Sequence, residues 1–460
     1  MTLTNNKSHL LWLAPLLGAV IGLWMYSAGW NHLACMTAGL TVVCALWWVF
    51  EPIPIPLTSL IPLGLFPLLG ILDGKEVALA YGSPLILLLA GGAMLSKAME
   101  KSGAHRRLAL AMVRLCGGSS YRRLVWGFML ASALLSMWIS NTATVLMLLP
   151  VALAIIEKAE DKSLTVPLLL GIAYAGSIGG LGTPIGTPPN VIFLQVYANT
   201  TGESISFIGW MMKALPVVAL LLPLAAWWLT RKLNARSVLQ LPAPGQWRTD
   251  EKRVLYVFAF TAIAWMTLTE PVGGWQTWLD LPTANYAAVA LTAVIALAVI
   301  SDGKGGRLLD WDMANQIHWG VLILFAGGIA LASAFTATGL SAAIGTHLTA
   351  LVHLPVWLLV LCVALAVTFL TEITSNTATT TLLMPILAAA AIGAQVDPLI
   401  LMLPAALSAS CAFMLPVATA PNAIVFGTGE VTVVRMAREG LAINLMGAVV
   451  ITLGVLLFSV

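Results

Sequence analysis

Ser375-Asn376-Thr377-Ala378-Thr379 interrupts an apolar run that extends from 355 to 395, and Ser140-Asn141-Thr142-Ala143-Thr144 interrupts another from 124 to 157. Each pentad is followed by apolar residues and a proline, Pro385 and Pro150. Polar side chains in the middle of an apolar run are costly in lipid unless they face protein or a cavity. Each run therefore reads as two half-spans joined at a polar tip. Two more long runs, 165–198 and 398–428, are cut by Gly186-Thr187-Pro188-Pro189-Asn190 and Ala418-Thr419-Ala420-Pro421-Asn422. Paired, interrupted apolar segments are the sequence pointer to a transporter's binding site.

Composition sets these four runs in a membrane. Of 460 residues, 60% are apolar and 9% charged, where a soluble domain carries roughly 25% charge. At ~20 residues per crossing, the apolar residues cap the count near 13 or 14 helices, so the chain is an all-α polytopic membrane protein. A net charge of +3 makes no basic stripe, which excludes nucleic acid as a partner; high hydrophobicity excludes disorder. Cys35, Cys44, Cys116, Cys362 and Cys411 show no CxxC spacing, so they read as buried reduced thiols rather than metal ligands or disulfides. Runs of single-crossing length fall at 10–29, 35–50, 54–72, 83–98, 210–229, 255–270, 284–300, 318–338 and 440–460. The first is too long for the apolar region of a cleaved signal peptide and reads as a retained helix.

The interruptions belong to an internal repeat. Glu51-Pro52 answers Glu270-Pro271, Ala90-Gly91-Gly92 answers Ala326-Gly327-Gly328, and the pentads and Pro-Asn breaks follow in the same order, at offsets between 219 and 236. If both pentad runs are re-entrant hairpins, each unit makes five crossings, and an odd count inverts the second copy. Charge tests this independently. With the N-terminus inside, 20 of the 22 basic residues fall on the cytoplasmic side, leaving only Lys75 and Lys213 outside, as the positive-inside rule requires. The expected architecture has eleven transmembrane helices, N-in and C-out, as two inverted five-helix repeats. Residues 1–34 hold an extra N-terminal helix, 35–230 the first repeat, 231–254 a cytoplasmic linker and 255–460 the second repeat.

In that arrangement the two tips meet near the midplane, each starting a returning half-helix whose free N–H groups and positive dipole end favour an anion. Oxygens of the unwound turns can ligate a small hard cation. No Arg or Lys lies within about ten residues of either tip, so co-bound cations would supply the positive charge a bound anion needs. A single Ser-Asn-Thr is more commonly a helix-packing motif. Its recurrence at equivalent positions, each beside a broken helix, favours cation-coupled anion uptake.

The doubled Ser-Asn-Thr, the stretch Gly182-Thr183-Pro184-Ile185-Gly186-Thr187-Pro188-Pro189-Asn190, and Ser410-Cys411-Ala412-Phe413 leading to Pro416-Val417-Ala418 and Asn422 resemble the divalent anion:sodium symporter family, the INDY-like sodium-coupled dicarboxylate transporters. The resemblance covers nearly the whole chain. It implies a homodimer in which a transport domain slides against a scaffold as an elevator, each domain drawn from both repeats. It implies a first sodium site at Ser136, Ser140, Asn141 and the Gly186 carbonyl. The repeat mate would use Thr371, Thr374, Ser375, Asn376 and the Ala418 carbonyl. It places substrate carboxylates at Asn141, Thr142, Thr187, Asn376, Thr377 and Thr419. The family pattern often has proline after each of those threonines of the breaks, and the second is Ala420 here, a departure that bears on packing beside Thr419 and on substrate preference.

Glu372 sits three residues before the second tip, at a depth where ionisable groups are functional suspects. Its repeat partner is Met137, which leaves it either a hydrogen-bonding role within the hairpin or a part in coupling or pH response. The histidines lie at span ends or in loops and suit interfaces. The tryptophans, among them Trp12, Trp30, Trp47, Trp48, Trp227 and Trp228, read mostly as belt residues. The basic run from Lys97 to Arg123 is either an amphipathic surface helix or a solvated loop. Asn199-Thr200-Thr201 fits a glycosylation sequon on an outside loop, but short loops suit a bacterial inner membrane, where it is accidental. No HExxH, GxSxG or apposed aspartate pair supports an enzyme, and tips carrying anion donors on an inverted repeat favour alternating access over a channel. The leading expectation is sodium-coupled symport of C4-dicarboxylates such as succinate, malate or fumarate, with no organic cofactor; a dicarboxylate exchanger and citrate or sulfate uptake are the rivals.

Overall fold

A computed structural model describes residues 8–116, 120–159, 161–233, 246–340 and 355–459. Lys7 and Arg236 of the basic set lie outside the described residues, as does the side chain of Cys116. Among the described residues the regular structure is helical apart from one isolated bridge, Ser301 to Arg307. Among the described residues, nine helices are long and apolar enough to cross a membrane.

The chain opens with α1 (Ser8–Ser27) and α2 (His32–Phe50), which pack along one another. Gly18 and Gly39 permit this: a methyl group on Gly18 would sit 2.5 Å from the Gly39 carbonyl oxygen, the close backbone approach that small residues give membrane helices. Only 17% of the α1 window is buried, against 89% for the window that ends at Gly180, so α1 is peripheral. The expected span 54–72 is instead two short helices, α3 (Ile55–Thr58) and α4 (Ile61–Leu68). Pro56 and Pro62 each start a helix, and the missing proline N–H groups prevent one continuous ladder.

There follow α5 (Gly74–Tyr81), α6 (Pro84–Ser102) and α7 (Ala104–Cys116). The basic run is thus helical, and α7 packs on the next helix rather than forming a loop. A first helical hairpin, α8 (Tyr121–Ser136) and α9 (Asn141–Lys158), precedes a broken helix, α10 (Thr165–Gly180) and α11 (Pro188–Thr201), and then α12 (Phe207–Thr230). Asn199 belongs to the last turn of α11, where its side chain accepts from Gln195; the sequon is helical, not a loop.

The second half runs through α13 (Thr249–Met266), α14 (Trp275–Trp278), α15 (Tyr286–Val299), α16 (Trp311–Ala314) and α17 (Trp319–Ala337). A second hairpin, α18 (Val356–Thr371) and α19 (Asn376–Gly393), is followed by a second broken helix, α20 (Pro398–Ala409) and α21 (Ala420–Phe426), and by α22 (Val433–Ser459). Helix α22 starts seven residues before the expected 440, because Glu439 in its second turn is paired with Arg231 at 2.9 Å and Arg435 at 3.1 Å. Asn141–Lys158 and Asn376–Gly393 are among the nine long apolar helices of the described residues.

Two packing groups emerge. Helix α6 lies against α13 and α15, and ion pairs tie the neighbouring ends together: Arg107 of α7 to Glu251 of α13 at 2.9 Å, Lys304 to Asp250 of α13 at 2.7 Å, and Lys101 of α6 to Asp310 at the start of α16. The hairpins pack instead on the broken helices, α8 on α10 and α18 on α20. Trp12 and Trp227 are exposed, as belt residues would be, but Trp48 is buried, its indole donating to Ser59 Oγ at 2.9 Å. Cys35, Cys44 and Cys411 are buried free thiols, whereas Cys362 is exposed on α18.

Candidate functional site

Both hairpins turn in the same way. Helix α8 ends at Ser136, and α9 begins at Asn141 with Ser140 as its N-cap; α18 ends at Thr371, and α19 begins at Asn376 with Ser375 as its N-cap. Neither serine makes a side-chain capping bond, so both helix starts keep orphan N–H donors. The hydroxyl that closes the first arm donates to the asparagine that opens the second: Ser136 Oγ to Asn141 Oδ1, and Thr371 Oγ1 to Asn376 Oδ1 at 2.7 Å. Each asparagine carbonyl is thereby turned back into the hairpin.

The breaks share a lock as well. Asn190 Nδ2 donates to the carbonyls of Gly180 at 3.0 Å, Leu181 at 3.4 Å and Thr183 at 2.8 Å. Asn422 Nδ2 donates to those of Ala412 and Leu415, both at 3.0 Å. These carbonyls, at or just past the C-terminal ends of α10 and α20, would otherwise be orphans. Thr419 caps α21 through Asn422 N at 3.2 Å, while Thr187 makes no cap. Where Pro188 starts α11 without an N–H, Ala420 starts α21 with one.

Absent side chains let oxygens converge at the first break. A methyl group on Gly180 would lie 2.9 Å from Asn141 Oδ1 and 3.2 Å from the Gly186 carbonyl oxygen, and one on Gly186 would lie 2.4 Å from the Gly180 carbonyl oxygen. A cluster of neutral oxygens suits a small hard cation. Among the described residues no group of three His, Cys, Asp or Glu could hold a metal ion.

The two halves meet through crossed packing, α9 against α21 and α11 against α19. They wall a cavity of about 920 Å³. Ser140, Asn141, Thr142, Gly186 and Thr187 line it from the first half, and Ser375, Asn376, Thr377, Ala418 and Thr419 from the second. Ser136 and Thr371 are buried behind their asparagines, and Thr374 does not line this cavity. Helices α6 and α17 supply the facing wall, through residues such as Gly92, Ser96, Val321 and Phe325.

That wall carries groups the sequence did not point to: Lys97, Glu100, His105 and His318. They lie tens of residues from either tip, and only folding brings them near. Lys97 is paired with Glu100 at 2.8 Å. His105 is buried, its Nδ1 2.8 Å from the Met99 carbonyl oxygen, and desolvation holds the imidazole below its usual range, so it is neutral near pH 7. Neither offers a free positive charge to an anion in the cavity.

Glu372 bonds outside its own hairpin. Its Oε1 accepts from the backbone N–H groups of Phe413 at 2.7 Å and Met414 at 2.9 Å, and its Oε2 from Leu415 at 2.9 Å. Asn444 Nδ2 on α22 donates to Oε1 at 2.7 Å. Gly440 brings α22 against this turn, since a methyl group there would meet the Phe413 carbonyl oxygen at 2.1 Å. The carboxylate thus ties hairpin, break and last helix together. Sequence spacing located Glu372, but its partners are main-chain groups that leave no trace in side-chain identity.

A family described as citrate transporter matches residues 45–403. The chain is 39% identical over 436 residues to the sodium-dependent dicarboxylate transporter SdcS of Staphylococcus saprophyticus, covering 90% of this chain and 84% of that protein. It is 38% identical over 437 residues to the SdcS of Staphylococcus aureus, with the same coverage. Among solved structures, the YdaH transporter of Alcanivorax borkumensis superimposes with a TM-score of 0.60 at 16% identity, covering 86% of this chain and 88% of that one. MtrF of Neisseria gonorrhoeae gives 0.59 at 12% identity, over 86% and 84%. At such identities the two structures speak for the fold alone.

Proposed function

The chain belongs to the citrate-transporter family, and from that premise we propose that it is a sodium-coupled symporter of C4-dicarboxylates such as succinate, malate and fumarate. It is a multi-pass membrane transporter, not an enzyme. The observation that carries the substrate reading is the cavity itself: two helix starts, each with an Asn-Thr pair, face one space from different halves of the chain. One pair would receive each carboxylate, through Asn141, Thr142 and Thr187 at one end and Asn376, Thr377 and Thr419 at the other. A monocarboxylate would leave one set of donors unpaired, at a penalty of about 1–3 kcal/mol before the lost charge is counted.

Sodium enters as cargo. The first ion would sit among Ser136, Ser140, Asn141 and the Gly186 carbonyl, the second among Thr371, Thr374, Ser375, Asn376 and the Ala418 carbonyl. Each asparagine would serve a cation with its oxygen and a carboxylate with its NH₂. Because Lys97 is paired and His105 neutral, the co-bound cations would carry the charge balance.

The proposed topology has eleven crossings, N-in and C-out, in two inverted repeats, with the hairpins re-entrant. In a bacterial inner membrane as a homodimer, the group packed around α6, α13 and α15 would be the scaffold. The hairpins and broken helices would move as an elevator, and their separate packing supports that division. The deciding experiment is labelled succinate uptake into proteoliposomes with sodium, then with potassium or a proton gradient in its place. Uptake that persists at full rate without sodium would remove the symport reading and favour an exchanger.

A further inference from the structure

The second tip stands between two cavities. Ser375, Ala418, Thr419 and Ala420 line the large cavity and also a separate pocket of about 540 Å³. Thr374 lines the smaller pocket and not the larger one. Among the described residues, the one charged side chain lining the smaller pocket is Glu51, at the end of α2 in a left-handed conformation with φ 49°. In the large cavity the carboxylate, Glu100, is instead offset by its ion pair with Lys97 at 2.8 Å.

Of the residues assigned above to the second cation site, Thr374 borders this pocket alone and Ser375 and Ala418 border both cavities, so all three adjoin a space whose one charged side chain among the described residues is negative. A carboxylate lining a small pocket concentrates cations and depletes anions, and it opposes a dianion twice as strongly as it attracts a monovalent cation. We propose that the Glu51 pocket is the route by which sodium reaches and leaves the second cation site, separate from the path of the dicarboxylate. The proposal rests on the sodium-coupled reading and adds to it a path. On this account Glu51 acts by attraction within the pocket and does not ligate the bound ion. Its loss changes how much sodium is needed, not how the substrate is held.

The test uses the full-length protein in proteoliposomes. Glu51→Gln is expected to raise the sodium concentration for half-maximal succinate uptake at least threefold. The succinate half-saturation at saturating sodium should stay within a factor of two. Independently of transport, Val417→Cys is placed in a chain whose native cysteines are replaced, because Val417 lines the smaller pocket alone and is 79% exposed. A cationic methanethiosulfonate should modify it several times faster than an anionic one, and adding Glu51→Gln should abolish the difference. Equal rates with Glu51 present, no modification at all, or an unchanged sodium requirement in Glu51→Gln would each overturn the route. Loss of sodium dependence in the unaltered protein would instead refute the symport reading, while the labelling rates would still report on the pocket.

Discussion

The two hairpin tips present the same chemistry to the cavity and are held from behind by different means. At the first, Met137 accepts the Thr183 hydroxyl with its carbonyl, and its side chain fills the space beside Gly182. At the second, Glu372 holds three backbone N–H groups and an amide, and Thr374 and Thr379 share a hydroxyl contact at 2.5 Å. The positions matching that pair in the first half are Ile139 and Thr144, and the Thr144 hydroxyl is buried with no partner. One tip is packed largely by apolar side chains and the other is tied by a buried charge. Symmetry is kept where ligands would bind and relaxed where only the scaffold of the tip is at stake.

The largest expected effect breaks that second support. Glu372→Ala would take the acceptor from the part-buried Met414 and Leu415 N–H groups and from the Asn444 amide, each costing about 1–3 kcal/mol, so purified protein should melt far below the unaltered chain in detergent or fail to run as a single species. Glu372→Gln keeps one acceptor oxygen and should fall between. Met137→Leu, a volume-conserving change at the matching position, should cost less than about 1.5 kcal/mol. Comparable melting of Glu372→Ala and Met137→Leu would erase the contrast.

Next come the asparagines themselves. Asn141→Ala and Asn376→Ala should each weaken succinate uptake ~10- to 100-fold in half-saturation, the equivalent of one charge-assisted hydrogen bond of roughly 1.5–3 kcal/mol. Uptake kinetics of the two variants side by side measure how equal the half-sites are; near-native affinity in either would make that tip a packing motif.

Ser136→Ala and Thr371→Val remove the hydroxyls that aim those asparagine carbonyls. A neutral hydrogen bond of about 0.5–1.5 kcal/mol predicts ~2- to 13-fold more sodium for half-maximal uptake. Thr371 should give the larger shift, because its hydroxyl also lies 2.9 Å from the Ala409 carbonyl oxygen. Smallest is Ala420→Pro, which makes the second break match the first. Succinate uptake should fall no more than the ~2- to 13-fold of one neutral donor, while inhibition by citrate should weaken, since the added ring narrows the cavity that Ala420 lines. Stronger citrate inhibition would sink that reading.

The parts of the site that could be read beforehand were those where polarity conflicts with an apolar run. Ser140-Asn141-Thr142 and Ser375-Asn376-Thr377 stood out because lipid does not tolerate them unpaired, and the structure does gather them at one cavity. The run 54–72 reads as a single span from its apolar content, but Pro56 and Pro62 divide it into two short helices. At the start of α22 the opposite holds: the charges of Arg435 and Glu439 suggest a loop, and it is their pairing that makes the turn helical. Lys97 and His105 at the cavity wall depend on how α6 and α7 approach the first hairpin, which no local pattern encodes.

The asparagine locks at the breaks have a consequence for how freely this chain can drift. Asn190 and Asn422 spend their donors on main-chain carbonyls, never on side chains. A lock of that kind is blind to the identity of the residues it grips, and the chain already illustrates it: Gly180 and Thr183 in one half stand where Ala412 and Leu415 stand in the other, under the same bond pattern. The lock itself therefore sets no demand on the side chains it grips; where a break residue is constrained, as at Gly180 and Gly186, the constraint comes from the oxygens a side chain would displace, and libraries aimed at new substrates can be written around those positions without unpicking the bend.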